Sequence, residues 1–216
     1  SLTYLLITGL PLQFSAELGL GKSYVSQRWV QDWYGVQAPA SAVASGPITA
    51  IGDVFLYQQT PLASSNLGQR LLGAVSAGAF VVVLTDRGLM LLEPNSGALE
   101  LLDTPVAGVA IAMDVNRLLL RGVAGVYTTD DFDHWQTDAK AISEISWAGV
   151  QPVTGAALSA LQKRYRNRIM TQERWLQDLH SGRFFGPVGV WLVTLATLLV
   201  LVLAVTGLML WWRSRR

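Results

Sequence analysis

Three hydrophobic patterns divide this chain, and each predicts a different kind of element. The plainest is an unbroken apolar run at its end. No charged residue stands between Phe184 and Trp212, and residues 190–210 are nearly all Leu, Val, Ala and Thr. About 20 apolar residues cross the hydrocarbon core of a bilayer, so 184–212 predicts a transmembrane helix. Trp191 precedes the Trp211/Trp212 pair by about 20 residues, or about 30 Å of helix. That spacing sets indoles at both membrane interfaces, where amphipathic rings partition. A buried core helix would need neither the spacing nor the basic stop of Arg213, Arg215 and Arg216.

The opening run, "SLTYLLITGLPLQF" (residues 1–14), is apolar and uncharged but too short to span. It reads as the end of a signal peptide, as a short packed strand, or as the exit half of a first membrane helix that begins upstream of Ser1. The third reading is favoured here, because Thr8, Gly9 and Pro11 echo Thr206-Gly207 near the end of the last span. Residues 15–35 then turn polar, with Val25, Trp29, Val30 and Trp33 at the spacing of one helix face. Ser23 suits the cap of this juxtamembrane helix and Tyr34-Gly35 its stop. The tryptophans are expected in its core or at the membrane interface rather than in a ligand box.

Residues 36–152 show the second pattern: short apolar runs broken by Gly, Pro, Asn and Asp, the rhythm of antiparallel β structure. "EPNSGALE" supplies turn chemistry through Pro94, Asn95 and Gly97. Residues 81–94 and 118–131 repeat each other at an offset of 37, each placing a hairpin turn at Gly88 or Gly125. Such a period resembles one propeller blade. The segment holds three such units, fewer than the four or so blades that close a ring. A small stacked or sandwich-like meander is therefore expected.

The third pattern is helical and occupies residues 153–183. Leu158, Leu161, Tyr165 and Ile169 lead into Trp175, Leu176 and Leu179; Thr171 suits a new helix start and Ser181-Gly182 its end. Lys163, Arg164, Arg166, Arg168 and Arg174 make this linker basic. Such a band either is a solvated face or meets lipid headgroups or an acidic partner. The fold class expected is thus a membrane protein of the α+β class: a mainly antiparallel β domain, juxtamembrane helices and a C-terminal transmembrane helix, plus the truncated first one. Residues 213–216 form the tail.

Composition narrows the chemistry. The net charge of +1 over 216 residues argues for no nucleic-acid partner. The absence of cysteine excludes disulfides, thiolate metal sites and cysteine nucleophiles. No Gly-x-Ser-x-Gly, His-Glu-x-x-His or phosphate-cradling loop is present. Asp130, Asp131, Asp133 and His134 in "TTDDFDHW" could hold a cation, but they lack the Gly and Glu of a calcium loop, and a polar hairpin turn is the favoured reading. His180 stands just before the apolar run as a helix-end fixture, a contact to a partner helix, or a ligand. Arg213, Arg215 and Arg216 favour a cytoplasmic C-terminus, while Arg166, Arg168, Arg174 and Arg183 load the other flank.

Particular residues carry a resemblance. Leu179-His180-Ser181-Gly182, Phe185-Gly186, Thr206-Gly207-Leu208 and Trp211-Trp212 resemble the closing helix of PepSY-associated transmembrane proteins of Gram-negative bacteria. "TGLPLQFSAELGL" and "WVQDWYG" resemble the exit of that family's first helix and the helix that follows it. The likeness covers both ends and is loose over the β-rich middle. It implies two membrane helices, both termini cytoplasmic and the intervening domain periplasmic, in the bacterial inner membrane. Larger multi-helix members carry haem and reduce ferric siderophores through membrane-edge histidines, and only His180 matches such a position. The resemblance therefore favours a non-catalytic accessory or assembly subunit of an inner-membrane, redox or respiratory, complex. Its expected contacts are membrane lipid and other inner-membrane subunits. No cofactor is expected; the alternative is a haem-binding electron-transfer component with His180 as ligand. The expected membrane anchors are Trp191, Trp211, Trp212, Arg213, Arg215 and Arg216. Arg164, Arg166, Arg168 and Arg174 are the expected headgroup or partner contacts.

Overall fold

The computed structural model describes residues 2–62, 69–137 and 145–215. Its α-helices are α1 (Leu2–Gln13), α2 (Arg28–Trp33), α3 (Gly155–Arg166), α4 (Gln172–His180) and α5 (Gly186–Ser214), with a 3₁₀ turn at Arg183–Phe185 before the last. The chain divides into a β-rich unit, residues 38–165, and a helical unit built from residues up to 37 and from 166 onward.

The β-rich unit consists of three antiparallel meanders. The first runs β1 (Ala42–Ser45), β2 (Ile48–Ile51), β3 (Val54–Tyr57) and β4 (Thr60–Pro61). The second runs β5 (Leu71–Ala77), β6 (Phe80–Thr85), β7 (Gly88–Leu92) and β8 (Leu99–Leu102). The third runs β9 (Gly108–Asp114), β10 (Arg117–Gly122), β11 (Val126–Thr129) and β12 (Gln136–Thr137). A late strand, β13 (Gln151–Val153), returns to pair with the free edge of β1.

Side-chain alternation shows how the sheets stack. Val81, Val83, Met90 and Leu92 of the middle sheet pack with Ile48, Ala50 and Phe55 of the first. Their neighbours Val82, Leu84 and Leu89 face the other way, onto Ile111, Leu118 and Leu120 of the third. The middle sheet is therefore covered on both faces, which is why "FVVVL" reads as a continuous apolar run rather than an alternating one. On the outer face of the first sheet Ala42, Ile51 and Leu56 receive Leu158, Leu161 and Tyr165 of α3. The outer face of the third packs Ala112, Leu119 and Val126 with Ile145 and Trp147. The expected stacked meander is what forms. The repeat is real in register too: Gly88 and Gly125 occupy equivalent turns with φ of 149° and 152°.

In the helical unit the core is small: Val25, Val30 and Met170, with Tyr34 and Trp175 packed against them. Thr171 caps α4, its hydroxyl accepting from the Arg174 amide at 3.3 Å. Ser23 does not cap α2 as the sequence suggests. That helix starts later, after Gln27, because the preceding segment pairs with the one before α4. Tyr24 bridges Thr171, and the Val25 amide donates to Met170 O at 2.9 Å. Nor does α2 have a single apolar face. Val30 is fully buried, whereas Trp29 and Trp33 are 60% and 63% exposed. The basic stretch read as one linker from 153 to 183 is likewise split, since α3 packs on the first sheet and α4 belongs to the helical unit. Among the described residues α5 is the helix long and apolar enough to cross a membrane. Its Leu, Val and Trp side chains are exposed on all sides, as expected of a helix whose solvent is lipid.

Candidate functional site

His180 ends α4 and lies against α1. Thr8 Oγ1 donates to the Tyr4 carbonyl at 2.8 Å, one turn back. A hydroxyl has one proton, so the same oxygen accepts from His180 Nδ1, 2.9 Å away. Nδ1 thus carries the proton of this contact, and the ring is held against α1. Gly9 makes room for the ring: a β-carbon there would stand 3.0 Å from His180 Cε1. Beside it the Tyr4 hydroxyl donates to the Leu179 carbonyl. Together these contacts form a clasp that joins α1 to the last turn of α4, with Thr8 itself buried.

Neighbouring polar groups of the helical unit are similarly engaged. Tyr34 donates to Asp178 Oδ2 at 3.0 Å, and partial burial together with that carboxylate pushes its phenol up to about 12. Gln31, almost fully buried, donates through Nε2 to Val25 O at 2.8 Å and to Asn167 Oδ1 at 2.9 Å. Alongside, Tyr4, Leu5, Phe185, Val188, Gly189, Leu192, Val193 and Ala196 line an apolar groove of about 330 Å³ between α1 and the first turns of α5.

The remaining expected site residues are dispersed. Trp191, Trp211 and Trp212 are exposed along α5. Arg213 and Arg215 are exposed at its end, with the Arg215 guanidinium 4.2 Å over the Trp211 ring. Arg216 lies outside the described residues. Arg164 has a local partner, since its guanidinium donates to Gln59 O at 2.7 Å and to Gln59 Oε1 at 3.2 Å within the β-rich unit. That contact steadies a turn in which Gln58 and Gln59 both carry positive φ. Arg168 and Arg174 are exposed, and Arg166 is half-buried.

The acidic hairpin is a self-contained turn. Asp131 Oδ1 accepts from the amides of Asp133 (3.0 Å) and His134 (2.8 Å), and Oδ2 pairs with His134 Nδ1 at 2.8 Å. Asp130 pairs with Arg117 at 3.3 Å. Asp131 thus faces its own turn and Asp130 an arginine, and among the described residues no group of three or more His, Asp or Glu is arranged to hold a metal. The amide of His134, its ring and the amide of Asp133 hold the Asp131 carboxyl well below the usual carboxylate range. Asp131 in turn raises His134 above 6.5. The Asp131 contribution is present above the ordinary carboxylate pKa and is lost as pH falls through its lowered folded value. The His134 contribution is complete below about 6.5 and is lost as pH rises through its raised folded value. Ring-proton NMR should therefore show His134 titrating above 6.5, with Asp131→Asn lowering it toward that value while Asp133 still acts to raise it. A wild-type midpoint at or below 6.5 would contradict the pairing.

A bis-histidine haem needs two axial imidazoles. The helical unit supplies His180 alone, and His134 lies in the β-rich unit, tied to Asp131. The sequence did not reveal the clasp, since Thr8 and His180 are 172 residues apart and no local period links them. The Thr8-Gly9 pair was the visible trace.

The family described as the PepSY-associated TM region matches residues 2–215, nearly the whole chain. The chain belongs to that family and is a membrane protein. No curated protein and no solved structure matches it.

Proposed function

From membership of the PepSY-associated transmembrane family, we propose that this chain is a non-catalytic, membrane-anchored accessory or assembly subunit of an inner-membrane complex. In this reading the β-rich unit is periplasmic and the end of α5 cytoplasmic, and the complex is a redox or respiratory one. The observation that carries it is the apolar groove beside α5. Gly189 and Ala196 offer the small side chains against which transmembrane helices pack closely. Asp131, a polar group that a catalytic reading would enlist, is meanwhile committed to its own turn.

The test is to purify the full-length chain from its native membrane in mild detergent, beside an Ala196→Phe variant that fills the groove. A defined membrane partner should accompany the wild type at constant stoichiometry and be lost from a variant that remains folded. An isolated wild-type monomer would sink the proposal. So would a Soret absorption band that disappears in His180→Ala, since that would make the protein an electron carrier.

A further inference from the structure

We infer that α2 and the turn before α5 form a second membrane anchor, in which Trp29, Trp33, Phe184 and Phe185 seat the helical unit in the headgroup layer. The rings make one cluster. Trp33 stacks on Phe184 with centroids 5.4 Å apart and planes 23° from parallel, and its indole N–H donates to the Phe184 carbonyl at 3.1 Å. Trp29 meets Phe184 edge-on at 6.3 Å, and Phe185 meets it edge-on at 5.1 Å. Although packed on one another, Trp29, Trp33 and Phe185 remain 60%, 63% and 57% exposed. A soluble domain would tend to cover such a cluster.

What covers it follows from continuity with the span. The 29 residues of α5 extend about 43 Å at about 1.5 Å per residue. A bilayer measured across both headgroup layers is about 40–45 Å thick. When α5 crosses it, Gly186 comes to the level of one headgroup layer, and Phe184 and Phe185 immediately precede Gly186. Trp33, locked to Phe184 by a ring stack and a hydrogen bond, is held at that same depth. Indoles prefer that depth, where the ring is desolvated while its N–H stays bonded. Exposed Arg28 and Arg183 flank the cluster with charge that suits anionic headgroups. Helix α2 divides its faces accordingly, with Val30 and Gln31 turned to the protein core and Trp29 and Trp33 to lipid.

The chain has no cysteine, so a single introduced one can be labelled without background. Trp29→Cys and Trp33→Cys, each carrying a nitroxide, are reconstituted as full-length protein in vesicles of phosphatidylcholine and phosphatidylglycerol. Collisional relaxation by oxygen is compared with that by a water-soluble nickel chelate. Leu195→Cys in the span and Val123→Cys on the β-rich unit set the lipid and water references. The α2 labels should show an oxygen-to-nickel ratio several-fold above that at Val123 and approaching that at Leu195. A ratio equal to that at Val123 would overturn the inference. So would immobilised labels shielded from both reagents, which would mean a protein partner covers the cluster. A second measurement spares the ring stack: in vesicles of brominated lipid, the fluorescence removed by the double change Trp29→Phe, Trp33→Phe should be strongly quenched, as is that of Trp191, Trp211 and Trp212 on the span. If the removed fraction is unquenched, the rings do not reach lipid.

Discussion

Valine at Gly182 lowers the stability of the helical unit by about 3 kcal/mol, the sum of two physical costs. Gly182 has φ of +77°, and a side chain in this left-handed region costs about 1–2 kcal/mol, with β-branched residues the worst placed. A β-carbon there would also run into the Gly189 carbonyl and stand 3.0 Å from the Val190 amide nitrogen. Those are backbone atoms of the first turns of α5 and cannot rotate away, so the overpacking adds about 1–3 kcal/mol. The contact is mutual, because a β-carbon on Gly189 would strike the Gly182 carbonyl. Two glycines placed back to back let the chain leave α4 and turn straight into α5, setting His180 just ahead of the span. Denaturant unfolding of the detergent-solubilised chain, followed by helical circular dichroism, measures the loss. Gly149→Ala is the control, since nothing stands within 4 Å of its added carbon, and should stay within about 0.5 kcal/mol of wild type. If Gly182→Val unfolds with Gly149→Ala, the close approach of the two glycines is not present in the protein.

That turn also marks where sequence reading succeeds and where it stops. Ser181-Gly182 is legible as a helix end because left-handed glycine is a local signal, as are the Thr171 cap and the uncharged length of α5. The stacked meander is legible for the same reason: its 37-residue offset brings Gly88 and Gly125 to matching turns. What fails are statements that depend on a partner distant in sequence. Ser23 looks like a cap until the Ser23 carbonyl is found accepting from the Gln172 amide at 2.8 Å, which draws the segment into pairing. Arg164 is read from the sequence as a headgroup or partner contact, and nothing local shows that its guanidinium also meets Gln59, 105 residues earlier. The face of α2 differs from the expected one because spacing places Val25, Trp29, Val30 and Trp33 together only if the helix starts before Val25, and it starts at Arg28.

The clasp, being such a distant contact, yields the sharpest test of His180. Leucine at Gly9 is expected to lower stability by about 3 kcal/mol, about 1–3 from overpacking and about 1 from the lost hydrogen bond to Thr8. Even a β-carbon at Gly9 lies 3.0 Å from His180 Cε1, and the rest of a leucine must occupy the space of the ring. The imidazole then swings away and Thr8 Oγ1 loses its donor. Removing the ring should reverse this: in a Gly9→Leu, His180→Ala pair the leucine fills the volume the imidazole vacates. The two changes should therefore be non-additive by about 1–2 kcal/mol, with the double variant more stable than the sum of the singles predicts. Unfolding of the four proteins in one detergent gives the coupling directly. Additive losses would mean that the Gly9 side chain and the His180 ring do not compete for one space, and that His180 is free for another role.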